Sequence, residues 1–255
     1  KILKFKNLKE LGELVAPHSY RILKKDCLDL PDKVYMKRYV ELTDDQKNAY
    51  AQMKENALAT LNGSSATAFN VLTQLIRLHQ ITCGHMATDS DDIIDIKSNR
   101  LDELMQILGE NSGKVIIWAN YIYDINQIKK AVEKEFGEKS YCTYYGATAT
   151  EDRQKCINEF QDPDSPVRFF IGNTQTGGYG ITLTAASTVV YYSNNYDLEK
   201  RIQSEDRAHR IGQMNKVLYI DLVAKGTVDV KIIRSLRNKV SIAKEISGEE
   251  LITWI

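Results

Sequence analysis

Gln203, Arg207 and Arg210 are the residues whose types and spacing could do chemistry. They lie in the run Gln203-Ser204-Glu205-Asp206-Arg207-Ala208-His209-Arg210-Ile211-Gly212-Gln213. The pattern predicts a helix with Asp197 as its N-cap and Gly212 as a left-handed stop. At about 100° per residue, Gln203, Arg207 and Arg210 share one face, and Leu198 and Ile202 share the opposite, core-docking face. Two guanidiniums side by side repel unless an anion lies between them. A phosphate group is the natural occupant. A solvated helix face also carries arginines by chance, so the neighbouring segments decide what these two mean.

Upstream lies Asn173-Thr174-Gln175-Thr176-Gly177-Gly178-Tyr179-Gly180-Ile181-Thr182-Leu183. It follows an apolar run, Val167 to Ile171, of the kind that forms a buried parallel strand. Gly177, Gly178 and Gly180 permit positive φ and a close approach of backbone amides to a ligand. A strand, a glycine loop, Ala185-Ala186 and a second strand, Val189 to Tyr192, make an α/β sequence of elements.

Together the glycine loop and the arginine run resemble motifs V and VI of the Swi/Snf family of ATP-driven DNA translocases, within the superfamily-two helicases. The likeness is to the second of that family's two RecA-like lobes and extends over nearly the whole chain. Gly113 to Asn120 (GKVIIWAN) resembles the motif IV strand. Tyr145 to Arg153 with Phe160 resembles the block after it, Leu75 to His85 the "LRQICNHP" segment, and Gly226-Thr227-Val228-Asp229 the closing "GT-x-E-E". Tyr20 to Asp26, Leu30-Pro31 and Leu42-Thr43 with Gln46 resemble the start of the lobe. Departures concentrate in motif V, where Asn173, Gln175, Thr176 and Thr182 replace the usual residues, and in Ser193 to Tyr196. They put side-chain contacts carried over from motif V in doubt and point to a divergent, prokaryotic or phage-borne branch.

The resemblance implies an α/β, doubly wound, mostly parallel RecA-like sheet with a helical insertion. It implies that Arg207 and Arg210 are arginine fingers, and that Gln203, Gly178, Gly180 and Asp206 bind nucleotide. Asn120, Arg153, Thr174 and Thr176 are DNA-backbone candidates by motif position. The amides of Gly146, Ala147 and Thr148, expected at the start of a helix, are suitable phosphate donors. Arg21, Lys24 and Lys25 could extend that basic stripe. The strand tyrosines, Tyr141, Tyr144, Tyr145, Tyr191 and Tyr192, are expected in the core.

What the sequence lacks bears on the biochemistry. It holds no G-x-x-x-x-G-K-[ST] and no Asp-Glu-x-His box. The P-loop lysine, the magnesium ligand and the water-activating acid are therefore missing. ATP and Mg2+ would be held mainly by an N-terminal lobe, and residues 1–255 alone are expected to be inactive. The expected function is half of a double-stranded DNA translocase. Half of a strand-separating helicase or restriction-system motor is the alternative. A complete nucleotide-sugar-type transferase using the glycine loop, or a non-catalytic DNA-binding module, are the further readings.

The chain has 255 residues, formal net charge +0 and 43% hydrophobic residues. That suffices for one large domain with an insertion and excludes a uniformly basic nucleic-acid coat, though not a local stripe. The first forty residues hold roughly twice as many Lys and Arg as Asp and Glu. No apolar run is long enough to span a membrane, and there is no signal-peptide pattern. Cys27, Cys83, Cys142 and Cys156 are scattered and expected to be reduced thiols of an intracellular protein, in cytoplasm or nucleoid if prokaryotic, in the nucleus if eukaryotic. Cys83 and His85 offer two ligands, too few for a metal site.

The chain opens at Lys1 without a methionine and is expected to be a fragment. Residues 1–43 are expected to hold a leading helix and the first strand, 44–97 a protruding helical insertion broken near Asn62 to Ser65, 98–245 the RecA-like lobe, and 246–255 a tail packing back on it. A helix from Ser98, ending near Gly109, is expected to begin the lobe proper. Asp89 to Asp95 is expected to be a solvated acidic linker. The loops at the strand C-termini are the expected working edge.

Overall fold

The structure is a computed structural model that describes residues 7–20, 27–62, 68–88, 90, 92–177 and 180–247. Arg21, Lys24, Lys25, the Gly63 to Ser65 break, Asp89, Gly178 and the tail beyond residue 247 lie outside the described residues. In chain order the elements are α1 (Leu8–Val15), β1 (Lys33–Val40), α2 (Asp44–Asn62), α3 (Ala68–Cys83), β2 (His85–Ala87), β3 (Ile93–Asp95), α4 (Arg100–Glu110), β4 (Lys114–Trp118) and α5 (Ile122–Phe136). There follow β5 (Tyr141–Tyr144), α6 (Thr150–Gln161), β6 (Phe169–Gly172), α7 (Thr174–Gly177), β7 (Ala186–Tyr191), α8 (Leu198–Glu205), β8 (Val217–Ala224) and α9 (Val228–Ser247).

Six strands form one parallel sheet in the order β1-β8-β7-β4-β6-β5. Helices cover both faces, so β4 and β6 are continuous apolar runs, buried on both sides. One face packs Ile117, Ile171, Val190 and Leu222 against Leu104 and Leu108 of α4 and Ile125, Ile128 and Val132 of α5. The other packs Trp118, Phe170, Tyr191 and Tyr219 against Cys156 and Phe160 of α6 and against Ala208. Of the strand tyrosines expected in the core, Tyr144, Tyr191 and Tyr192 are buried, while Tyr141 and Tyr145 are half-buried at its margin.

Beside the sheet, α2 and α3 pack together, and Leu78 of α3 meets Val228, Ile232 and Leu236 of α9. The acidic stretch is not a plain linker. Ile93–Asp95 pairs antiparallel with His85–Ala87, and Tyr123 donates to Asp95 at 2.6 Å. Ser98 accepts from the Arg100 amide at 3.2 Å at the start of α4, and that helix ends at Glu110, beside Gly109.

Further expectations fail. The arginine helix is cut short: α8 ends at Glu205, and residues 206–212 are turns. Of the expected docking face, Leu198 packs against the Leu78, Val228, Ile232 and Leu236 cluster, but Ile202 is 41% exposed while Arg201, Ser204 and Glu205 are buried. The reason is that the sheet offers polar partners there. Arg201 meets Asp221 of β8 at 2.5 Å, and Ser204 meets the Tyr191 hydroxyl at 2.7 Å. Nor are all four cysteines free thiols. Cys142 of β5 and Cys156 of α6 are joined as a disulfide, because the crossover from β5 lays α6 over its own strand; Cys27 and Cys83 are free.

Candidate nucleotide and nucleic-acid site

The motif loops meet through backbone bonds dictated by the parallel register. Beyond β4 the Ala119 amide donates to the Gly172 carbonyl at 2.9 Å, and beyond β6 the Asn173 amide donates to the Tyr144 carbonyl at 3.2 Å. Asn173 then ties two loops together. Its side-chain amide donates to the Asn120 carbonyl at 2.9 Å, and its side-chain oxygen accepts the Gln175 amide at 2.7 Å. Asn120 itself donates from its backbone to Ser193 Oγ at 2.8 Å. Ser193 faces Asp124, and Asp124 lies 3.2 Å from His85 Nδ1. Asn173 and Ser193 are thus positioning residues for the Asn120 loop. Both were visible in the sequence only as departures from the family pattern.

Asn120, Gly146, Ala147, Thr148, Thr174 and Thr176 all follow strand C-termini, at the expected working edge. Their availability differs. Gly146 and Ala147 are exposed. The Thr148 amide is already bonded to the Tyr145 carbonyl at 3.0 Å, and α6 starts only at Thr150, so Thr148 is not a helix-start donor. Arg153 donates to the carbonyls of Tyr145 and Gly146 at 3.3 and 3.1 Å and lies over the Tyr144 ring, bracing the loop from within. Thr174 is only 8% exposed, whereas Thr176 is half-buried.

The arginine segment lies elsewhere. After β7, α8 runs back along the sheet, so Arg207 arrives beside the approach to β7 and its carbonyl accepts the Leu183 amide at 2.9 Å. Arg207 and Arg210 therefore flank the sheet instead of crowning a strand C-terminus. Arg207 Nε donates to the Gln203 carbonyl at 2.9 Å, and Nη1 to the Ile181 carbonyl at 3.1 Å, next to Gly180 with its φ of 71°. The glycine loop and the arginine segment are thus brought together. Burial and the adjacent Arg210 both push the Arg207 pKa down, while Asp206 opposes them. Arg210 is exposed. Gln203 donates to Glu199 at 2.8 Å, and its Oε1 is buried without a hydrogen-bond partner. Asp206 lies 3.4 Å from Lys33. Gln213 pins the segment, donating to the carbonyls of Thr184, Ala186 and Ala208.

Two buried arginines that motif reasoning missed hold this frame. Arg201 bonds both oxygens of Asp221, Glu205 at 2.8 Å and Asn194 at 2.6 Å, and stacks 3.4 Å from the Tyr191 ring centre. Arg100 bonds Asp229 and donates to the carbonyls of Thr82, Tyr192 and Leu222. Burial raises the Asp229 carboxyl, but Arg100 and His79 outweigh this and hold it below its usual value. Burial pushes His79 down to about 4 and raises Asp124. The one sequence signal for the Arg201 cluster was Glu205 four residues on, at ion-pair spacing.

The helicase conserved C-terminal domain family matches residues 97–212. The chain is 29% identical to a putative ATP-dependent helicase/translocase of Bacillus subtilis, over 98% of this chain and 28% of that protein. It is 30% identical to an ISWI chromatin-remodeling complex ATPase of Saccharomyces cerevisiae, over 92% of this chain and 22% of that protein. The SWI2/SNF2 ATPase core of Sulfolobus solfataricus in complex with dsDNA superposes with TM-score 0.65 at 26% identity, over 94% of this chain and 52% of that one. The C-terminal domain of a Sulfolobus solfataricus SWI2/SNF2 ATPase gives 0.62 at 26%, over 84% of this chain and 90% of that one. Together these likenesses support a Snf2-like C-terminal lobe of the superfamily-two kind. The lobe has the RecA-like fold, and it spans only a minor part of those two curated relatives. Among its described residues no helix is long and apolar enough to cross a membrane.

Proposed function

We propose that the lobe is one half of an ATP-dependent double-stranded DNA translocase, working on a nucleotide held mainly by an N-terminal RecA-like lobe. Nucleotide with its magnesium supplies the phosphoanhydride whose cleavage drives the motor. The observation that carries the reading is the pair Arg207 and Arg210. Arg207 is anchored on two backbone carbonyls while a second guanidinium lowers its pKa. Two adjacent guanidiniums suit an anion, so the residues fit a γ-phosphate. Arg207 would act from a fixed stem, Arg210 would reach from the exposed side, and Gln203 and Asp206 would orient them. Gly180, and Gly178 outside the described residues, would let the backbone approach the nucleotide. Arginine fingers in other nucleotidases contribute about 10³–10⁵ in rate.

On this reading DNA lies along the other edge, held by its sugar-phosphate backbone, since a translocase must step over any sequence. Asn120, Thr176 and the exposed amides of Gly146 and Ala147 would contact phosphates. Thr148, Arg153 and Thr174 would act by shaping those loops. The Sulfolobus core bound to dsDNA supports double-stranded DNA as the substrate class. In the two-lobe ATPase, Arg210→Ala should lower DNA-stimulated turnover by two or more orders of magnitude. DNA affinity without nucleotide should stay within about twofold, because on this reading Arg210 meets the nucleotide and not the DNA. Turnover at the parent level in Arg210→Ala would defeat the finger assignment.

A further inference from the structure

Glu205 closes α8, two residues before Arg207. Its side chain is only 1% exposed. Its carboxylate accepts from Arg201 Nε at 2.8 Å on one oxygen, and from Lys33 Nζ at 3.1 Å and the Tyr35 hydroxyl at 2.9 Å on the other. Its carbonyl accepts from the Tyr219 hydroxyl at 2.9 Å and from the amides of Ala208 and His209 at 3.2 and 3.1 Å. The first residue of β1 thus grips the end of α8 across the sheet. Lys33 Nζ also lies 3.4 Å from Asp206 Oδ1 and 5.7 Å from the centre of the Tyr219 ring. Just before β1, the Pro31 carbonyl lies 2.7 Å from His209 Nε2. Arg207 stands between these two ties to the chain around β1. Residues 206–212 are turns, so they have no helical ladder to hold their shape. Side-chain ties do that instead, and the one from Lys33 joins consecutive carboxylates on the approach to Arg207.

We propose that Lys33 is a positioning residue for the arginine pair: by bridging Glu205 and Asp206 it fixes the turn out of α8, and with it the direction from which Arg207 and Arg210 reach a phosphate. The inference rests on the finger reading of those two arginines. Lys33 itself touches no nucleotide in this role. Arg201 holds the same carboxylate from within α8, so it cannot fix the helix end to β1. Tyr35 does reach from β1, but it bonds Glu205 and leaves the Asp206 tie to Lys33. Loss of the ammonium should therefore keep α8 seated and loosen only the segment beyond it. Such loosening matters to a reaction, because a misplacement of about 1 Å at a reacting group can cost about 10²-fold in rate.

The test compares Lys33→Met and Lys33→Arg in the two-lobe ATPase, by hydrogen exchange and by DNA-stimulated turnover. In Lys33→Met the amides of Arg207, Ala208, His209 and Gln213, each bonded to a carbonyl, should exchange at least about 10-fold faster, while those of β7 and β8 keep the parent rate. The kcat should fall at least about 10-fold, with KM for ATP within about twofold, since the other lobe holds most of the nucleotide. Lys33→Arg can still bridge two carboxylates and should restore both readouts to within about threefold. Placed in an Arg210→Ala background, Lys33→Met should cost less than about threefold more, because residues that act as a unit are not additive. A loss caused by unfolding would instead be carried at full size in both backgrounds. The proposal is overturned by parent-like exchange at 207–213, by failure of Lys33→Arg to restore, or by equal losses in the two backgrounds. Parent-like turnover in Lys33→Met beside an impaired Arg210→Ala overturns this inference alone. Parent-like turnover in Arg210→Ala defeats the finger reading, and the role of Lys33 in the reaction falls with it.

Discussion

At the scale of single residues, the two proposed fingers should separate experimentally. Arg207 spends two donors on backbone carbonyls, so Arg207→Ala should cost about 1–3 kcal/mol of stability as well as turnover. Arg210 is exposed, and its removal should leave melting nearly unchanged. Lysine should not rescue turnover at either position, because a point charge cannot reproduce a planar fork. Melting curves beside turnover decide it: equal melting for both variants would mean that the Arg207 anchor is absent in solution. His79 makes a second residue-scale prediction. Its imidazole is held neutral by burial, down to about 4. Between pH of about 6.5 and 4 the unfolded chain gains a proton that the folded chain refuses. Stability should therefore be full above that window and fall as pH drops through it, by up to about 3 kcal/mol. Asp124, raised by burial, works in the opposite direction but is common to parent and variant. His79→Asn should flatten the difference in melting temperature between pH 7 and 5; an unchanged slope would remove His79 as its source.

At the scale of elements, the C-terminal end of β6 is the tightest junction in the site. A Cβ on Gly172 would lie 2.8 Å from the Tyr144 carbonyl oxygen and 2.9 Å from Trp118 Cζ3. Neither the β5 backbone nor the buried indole can move cheaply, so Gly172→Ala should cost about 1–3 kcal/mol, as overpacking does. It should also displace the Asn173 bridge to Asn120 and weaken DNA binding beyond the stability loss. Chemical denaturation and DNA titration of the folded variant check both parts; parent-like values would show that the junction relaxes. The shortness of α8 is likewise an element-scale result. Its inward side is polar because β7 and β8 present Tyr191 and Asp221 to it. An apolar-face reading therefore placed Leu198 correctly but Ile202 wrongly, and ran the helix on through Arg207.

At the scale of the whole molecule, one lobe presents cations and loop amides but none of the P-loop machinery. Residues 1–255 alone should hydrolyse no ATP above background; robust DNA-stimulated turnover by them would end the half-motor proposal. Their DNA binding should be weak, indifferent to sequence and steeply weakened by salt, with a logarithmic slope of about −0.9 per phosphate neutralised. Titrating unrelated duplexes at two salt concentrations measures this, and affinity flat in salt would contradict backbone tracking.

The six strands of the main sheet, most helices, their alternation and the parallel sheet were legible in the sequence, because periodicity and apolar runs are local and both-face burial leaves an unbroken signal; the short β2–β3 pair was not. So was the identity of the motif loops, carried by spacing within a few residues. Arg100 meeting Asp229, Arg201 meeting Asp221 and Cys142 meeting Cys156 were not. Each depends on which strand lies beside which and which way a helix rolls on the sheet. Tertiary packing decides both, because a buried charge is stable only where the fold delivers its partner.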